Sequence, residues 1–287
     1  MPALRDKAPF FILGTLLAAT LGIWAFLFSI EEDSTLKFIV FDIGQGDALF
    51  IETPDHYRVL IDGGPDAKVV QKLGEVMPFW ARTIDLVILT HPHADHAGGL
   101  PDVLERYKVR TVIESQADYG TAEYAAWQKK EMDKKIISYA AISGTAVFIG
   151  KYAHLKILTP FESVEGKSFK NVHDANIASE LDFGKIKILL MGDAEDESER
   201  ELLRRGALAD IDILKVGHHG SKTSSAEAFL KVVKPEVAVI SVGRKNRYGH
   251  PYEAVLKRLQ DFGARILRTD TDGDIKLTSD GVSWAPR

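Results

Sequence analysis

Asp85-Leu86-Val87-Ile88-Leu89-Thr90 runs straight into His91-Pro92-His93-Ala94-Asp95-His96. The first six residues form a nearly continuous apolar run, as expected of a strand buried on both faces. The next six place three imidazoles and one carboxylate within a single turn, carried by the rigid strand before them. One histidine in such a loop reads as solvated surface. Four ligand-type residues in six positions, followed by Gly98-Gly99 and a helix, read as a metal site, because burying them unpaired forfeits their hydration. The chain holds nine histidines, and five of them fall in two short motifs, His91/His93/His96 and His218/His219.

Upstream of this stretch, residues 36–42, 48–53 and 57–62 are rich in β-branched and aromatic side chains and are predicted strands. Gly44-Gln45-Gly46-Asp47 and Pro54-Asp55-His56 mark the turns between them. Helices are predicted at 67–76, 99–107, 122–134, 196–205, 226–233 and 252–262. Further strands are predicted at 110–114, 155–158, 177–183, 185–191, 212–216, 237–242 and 266–268, with a last hairpin over 272–281. No linker or low-complexity tract interrupts residues 34–287, so one catalytic domain of packed sheets with helices outside is expected.

Residues 8–30 contain no charged side chain, a run of 23, where roughly 20 cross a bilayer. Arg5 and Lys7 precede it, and Glu31, Glu32 and Asp33 follow. The positive-inside bias then predicts residues 1–33 as a cytoplasmic N-terminus and single-pass anchor in the cell membrane, with residues 34–287 extracytoplasmic. A cleaved signal peptide is the rival reading, but the run is longer than a typical signal core and Phe28-Ser29-Ile30 is not a small-x-small cleavage site. A buried core helix is the third, and it sits outside the strand pattern downstream. With 45% hydrophobic and 27% charged residues the chain can build a sizeable core. The net charge of −5 gives no global field to attract a polyanion, so an anionic substrate needs a local basic patch or bound metal. There is no cysteine, which leaves His and carboxylate as the strong metal ligands.

Two further apolar strands end in groups of the same kind. Residues 186–191 lead into Gly192-Asp193-Ala194-Glu195, and residues 211–216 into Gly217-His218-His219-Gly220-Ser221. The stretch from His91 to His96 resembles the signature of the metallo-β-lactamase superfamily. That resemblance implies an α+β fold, an αββα sandwich with a dinuclear metal site. More narrowly, six blocks are similar to the C-terminal domain of the ComEC family of DNA-uptake channel proteins. They begin at Phe41-Asp-Ile-Gly-Gln-Gly-Asp-Ala48 and Thr90-His-Pro-His-Ala-Asp-His-Ala-Gly-Gly-Leu100, and continue with Met191-Gly-Asp-Ala-Glu195 and Lys215-Val-Gly-His-His-Gly-Ser-Lys-Thr-Ser-Ser225. Ile240-Ser-Val-Gly-Arg-Lys-Asn-Arg-Tyr-Gly-His-Pro251 and Arg268-Thr-Asp-Thr-Asp-Gly273 complete the set. This sequence carries one apolar segment where that family has a many-helix channel, so the likeness is expected to concern hydrolysis rather than transport.

The resemblance implies that His91 and His93 hold one metal and Asp95 and His96 the other. Asp193 bridges them, and one of His218 or His219 completes the second site. The first metal's remaining ligand is Asp174, with His173 as the rival, and the catalytic candidates are Asp95, Asp193 and His219. With His and Asp ligands the two divalent ions are Zn²⁺ or Mn²⁺. Asp62 reads equally as a carboxylate orienting a metal-bound histidine and as a turn residue. Asp42 and Asp47 read as structural first and metal-adjacent second. Ser221 and Lys222 precede a predicted helix start, which is either an anion site or an ordinary cap. Arg244, Asn246, Arg247, Tyr248 and His250, with Lys245, form either a basic substrate-binding rim or a solvated loop. The resemblance favours the rim, and single-stranded DNA or another phosphodiester as substrate. A small-ester or phosphorylcholine-type hydrolase and a non-catalytic binding module are the competing functions, since fold alone does not choose among them.

Overall fold

The computed structural model describes residues 8–29 and 34–286, with side chains at 9–25 and 34–286. It divides into two units, Met1–Ser34 and Thr35–Arg287. The first contains one apolar helix, Ala8–Ser29 (α1). The expected flanking charges Arg5, Lys7, Glu31, Glu32 and Asp33 lie outside the described residues. The part of α1 with described side chains is shorter than a bilayer-spanning helix, and no helix among the described residues is long and apolar enough to cross a membrane.

In the second unit Leu36–Val40 (β1), Leu49–Glu52 (β2) and Arg58–Ile61 (β3) pair as an antiparallel meander. The apolar stripe of Lys68–Val76 (α2) then crosses over to Thr83–Leu89 (β4), parallel to β3. Ala94–Ala97 (α3) and Leu100–Arg106 (α4) lead to Lys108–Glu114 (β5), and Ala122–Lys134 (α5) leads to Ile137–Ala140 (β6). These strands are parallel because each link is a helical crossover rather than a tight turn.

The other sheet opens with an antiparallel run of Ala146–Ile149 (β7), Ala153–Ile157 (β8), Ser179–Phe183 (β9) and Ile186–Leu190 (β10). Helices Asp196–Arg204 (α6), Glu227–Val233 (α7) and Glu253–Asp261 (α8) alternate with parallel strands Ile213–Lys215 (β11), Val237–Ile240 (β12) and Arg265–Arg268 (β13). After a turn of helix, Thr269–Asp272 (α9), the chain returns to the first sheet as Ile275–Ser279 (β14) and Trp284–Pro286 (β15). The orders are β15-β14-β1-β2-β3-β4-β5-β6 and β13-β12-β11-β10-β9-β8-β7.

Phe38, Ile51, Leu86, Leu155, Leu181 and Ile188 meet between the sheets. Phe41, Leu60, Leu73, Val103 and Trp127 pack α2, α4 and α5 on one outer face, and Leu189, Leu202, Leu230 and Val255 pack α6, α7 and α8 on the other. This is the expected αββα sandwich. Strands β6 and β7 do not stand among the predicted elements. Both are sheet edges with exposed Ile137, Tyr139 and Phe148, so no buried apolar pattern marks them. The hairpin predicted at 272–281 is displaced, because residues 269–272 are helical and the Asp280 carboxylate accepts from the N–H groups of Val282 and Ser283 to make the turn there.

Candidate metal centre

The segments leaving β4, β10 and β11 converge. His91 Nε2 and His173 Nε2 both stand 3.7 Å from Asp193 Oδ2, and His91 Nε2 lies 3.0 Å from His93 Nδ1. Asp193 turns its other oxygen, Oδ1, to His96 Nε2 at 3.4 Å and His219 Nε2 at 3.6 Å, and His219 Nε2 lies 3.6 Å from Asp95 Oδ2. Two donor sets result, His91/His93/His173/Asp193 and Asp95/His96/His219. A tetrahedral ion with bonds of ~2.1 Å has ligand atoms about 3.4 Å apart, which is the spacing observed. His96 Nε2, His173 Nε2, His219 Nε2 and Asp193 Oδ1 are buried with no hydrogen-bond partner. Buried polar atoms seldom go unpaired, and here they converge on two points. The residues fit two divalent ions.

Neighbouring groups fix each imidazole. Asp62 is fully buried; Oδ2 accepts from His96 Nδ1 at 2.7 Å and from Thr90 Oγ1, while Oδ1 accepts from the Thr90 N–H. His96 is thereby left with Nε2 toward Asp193, and Asp62 takes the orienting role rather than that of a turn residue. His219 Nδ1 donates to Ser241 O at 2.9 Å, which likewise frees its Nε2. Asp47 is buried beside Lys215 at 2.6 Å and lies 3.5 Å from His219 Nδ1, so it supports the centre from below. Asp42 accepts from Gly44 N and lies outside both sets. Gly46 at φ 125° brings the turn so close to the Asp95 carbonyl that any Cβ there would collide with it.

Burial opposes charge on His219, yet Asp193 and Asp47 outweigh it and hold the imidazole up at about 10. His96 is likewise raised, against burial, by Asp193 and Asp62. Burial disfavours the Asp193 carboxylate, and His219 and His96 still keep it well below the usual range. Burial, with His96 beside it, holds His91 well below its ordinary value. The carboxylates thus favour a proton on His219 and His96, whereas burial pushes His91, His93 and His173 down.

The structure brings some of the expected residues together and leaves others apart. The first set takes His173 and not Asp174: both lie in the 3₁₀ turn Val172–Ala175, whose successive side chains point in different directions. The Asp174 side chain lines a separate surface hollow with Phe161, Glu197 and Arg200. Of the paired histidines, His219 joins the second set, while His218 bonds Glu195 at 3.2 Å and faces the cleft. Both have positive φ in a turn, so alternation along a strand does not govern them.

The cleft over the centre, about 370 Å³, is lined by His93, Asp95, Tyr119, His218, Tyr248 and His250 among others, and by no Lys or Arg among the described residues. Arg244 is bonded to Asp270 O, and Arg247 lies 5.3 Å over the Tyr248 ring. Asn246 ties its own loop together through Gly243 O and His250 O. Lys222 and Ser221 do not reach the cleft, and the N–H groups of Ser225 and Ala226 at the start of α7 are taken by Glu199. Tyr119 and Thr121 line the cleft without any motif to reveal them, and Gln45 joins them from the block Phe41–Ala48. Glu195 and Lys215 stand inside quoted blocks, but only the fold shows what they touch.

Residues 41–244 match the metallo-beta-lactamase superfamily, and the chain belongs to it, a superfamily of metal-dependent hydrolases. More particularly, it is 31% identical over 256 residues to ComE operon protein 3 of Bacillus subtilis (strain 168), across 82% of this chain and 32% of that protein. It is also 31% identical over 261 residues to Recombination protein 2 of Haemophilus influenzae, across 88% of this chain and 30% of the relative. The chain thus spans about a third of the length of these curated relatives. A metallo hydrolase from the archaeon Ignicoccus hospitalis KIN4/I shares the fold, with a TM-score of 0.52 at 15% identity over 84% of this chain and 98% of that one.

Proposed function

We propose that this chain is a membrane-anchored, extracytoplasmic phosphodiesterase that cleaves DNA or a similar polyanion, with residues 1–33 as its anchor and 34–287 as its catalytic part. The observation that carries the chemistry is Asp193, whose two oxygens face two separate histidine sets. His91, His93, His173 and Asp193 would hold one ion, Zn²⁺ or Mn²⁺, and Asp95, His96, His219 and Asp193 the other. When bound, such a pair supplies Lewis acidity toward a phosphoester and lowers the pKa of water beside it. The side chains above do the positioning. His218, held by Glu195 through Nδ1, lines the cleft with its Nε2 3.9 Å from Asp193 Oδ2, where it can hand a proton to a leaving oxygen. Tyr119, Tyr248 and His250 give ring faces on which a base or sugar can rest. Similarity to competence proteins supports DNA as the substrate class, and the uncharged run 8–30 supports the anchor.

A small-ester substrate is favoured by one observation, the lack of a cation among the described residues lining the cleft. Metal analysis of the 34–287 piece, followed by rates on labelled single-stranded DNA, bis-p-nitrophenyl phosphate and a phosphorylcholine ester, separates the two. Turnover of the choline ester alone would overturn the nuclease reading.

A further inference from the structure

The end of the sandwich opposite the metal centre carries an unused surface. The loop before β4 holds Phe79 and Trp80 edge to face at 4.8 Å, 79% and 71% exposed, whereas Phe38, Phe41, Phe50 and Trp127 of the same unit are fully buried. Two residues on stands Arg82, whose carbonyl accepts from the Lys108 N–H, which brings this loop against the start of β5. There a groove of about 620 Å³ is lined by Arg106, Lys108, Arg110, Lys134 and Lys135, with Glu105 the one acid. Arg110 is paired with Asp85 and Lys134 with Glu105. Arg82, Arg106, Lys108 and Lys135 are exposed, with no carboxylate in salt-bridge reach among the described residues. In a chain of net charge −5 this is a local concentration of positive charge beside exposed aromatic rings.

Topology adds a third observation. Strand β1 is antiparallel to β2, β2 is antiparallel to β3, and β3 is parallel to β4, so β1 and β4 run the same way. Phe38, Ile51, Val59, Leu86 and Thr111 share one row across the sheet. Leu36 therefore lies level with Ile84 and Val109, at the end of the sheet where the aromatic pair and the groove are. The chain comes into the catalytic unit at this end, a few residues after the apolar helix. The metal ligands follow the other end of β4, about 20 Å away for a strand of this length.

We propose that this end is a docking surface for an anionic bilayer surface, Phe79 and Trp80 resting among lipid headgroups and the four cations on lipid phosphates. The proposal rests on the reading of α1 as a membrane anchor. Aromatic rings at the headgroup level beside basic side chains are what an interfacial surface requires. Tethering by the anchor keeps the local lipid concentration high, so weak contacts suffice. A polynucleotide fits the groove less well, because a strand lying there is a full strand length from the metal ligands. Docked in this way, the cleft opens away from the bilayer toward incoming substrate.

The test uses the full chain with Trp24→Phe and Trp284→Phe, which leaves exposed Trp80 and buried Trp127 as reporters. The protein is reconstituted in vesicles containing a lipid with a nitroxide headgroup, either all phosphatidylcholine or with a third phosphatidylglycerol. Flotation with the vesicles reports the anchor, and quenching reports docking. Trp80 emission is expected to be quenched at least twofold more in anionic than in neutral vesicles. Arg106→Ala with Lys108→Ala should remove most of that difference. A reporter moved to the cleft side, Trp80→Phe with Tyr248→Trp, should show none. A floating protein with equal quenching at positions 80 and 248 overturns the docking surface and leaves the anchor standing. Absence of flotation overturns both. A Trp80 response to single-stranded DNA but not to anionic lipid assigns the surface to nucleic acid and overturns the proposal.

Discussion

The two halves of the metal centre are built in different ways. The half on the first sheet draws His91, His93, Asp95 and His96 from one six-residue stretch after β4, a local turn on a rigid strand. The half on the second sheet collects His173, Asp193 and His219 from three segments that meet only when β9, β10 and β11 are in place. Local geometry can present the first half in a partly folded chain; the second half exists only once its sheet has formed. Metal affinity therefore reports how well the two sheets are docked, and substitutions in the second half should cost the most.

Asp193→Asn provides the strongest test. Its oxygens serve both donor sets, so the substitution should strip both ions, whereas His91→Ala or His96→Ala should weaken one. Losing a mere supporting residue costs roughly 10–100-fold in metal affinity, and the loss here should exceed that range. Metal content by mass spectrometry checks it, and an Asp193→Asn protein that keeps two ions would remove the bridging role. Below that stands Lys215→Met. It leaves buried Asp47 with only His219, 3.5 Å away, to answer its charge, a change that costs up to about 3–5 kcal/mol. Denaturant unfolding of the 34–287 piece should show this, and adding Asp47→Leu should recover a good part of it. No recovery would mean that Asp47 is needed beneath His219 in its own right. Asp62→Asn should come third, lowering metal affinity by roughly 10–100-fold through His96 alone, with the first ion retained. Simultaneous loss of both ions would contradict the separation of the two sets.

The pH dependence sharpens the same comparison. In the metal-free protein His219 has its pKa held at about 10, above the ordinary 6.5. The stability it contributes is fully present below pH 6.5 and is lost as the pH rises toward 10. Asp193, held below its ordinary 3.8, contributes stability present above that value and lost as the pH falls through its folded pKa. Melting temperature without metal should therefore decline from pH 7 to 9.5, while the metal-loaded protein stays flat because the cation replaces the proton. Parallel declines with and without metal would show that His219 does not exchange its proton for an ion.

How much could be read from sequence follows the same division. The strands and helices packed against the three cores were legible because their apolar residues repeat with period two or 3.6. Edge strands β6 and β7 were not, since their side chains are half in solvent. In the centre, His91 to His96 declared itself by density, and Asp193 and His219 by standing after apolar strands. The resemblance favours Asp174 over His173, and the 3₁₀ turn there sets side-chain direction by backbone geometry, which no residue count reveals. Seven of the nine histidines sit in the donor sets or the cleft, a stronger sign for His173 than its local motif. The basic loop shows the reverse: charge density suggested a rim, but Arg244 and Arg247 spend their hydrogen bonds on Asp270 and Tyr248.

That loop supplies the smallest expected effect. Arg247 meets the cleft only through the Tyr248 ring, and Arg244 is held away from it by the Asp270 carbonyl. If a DNA strand crosses the cleft and continues over the loop, these two cations touch phosphates beyond the cleaved bond. Arg244→Ala with Arg247→Ala should then leave both ions bound and leave bis-p-nitrophenyl phosphate turnover unchanged, since that molecule is too short to reach the loop. DNA affinity should fall severalfold, and the slope of log affinity against log salt should flatten by about 0.7 for each phosphate left without its cation. The contrast with Asp193→Asn is the point of the measurement. One substitution acts on every substrate through the metals, the other only on a polymer. Equal losses on the diester and on DNA, with an unchanged salt slope, would mean that the loop acts by placing Tyr248 and His250 in the cleft, and would favour the small-ester reading.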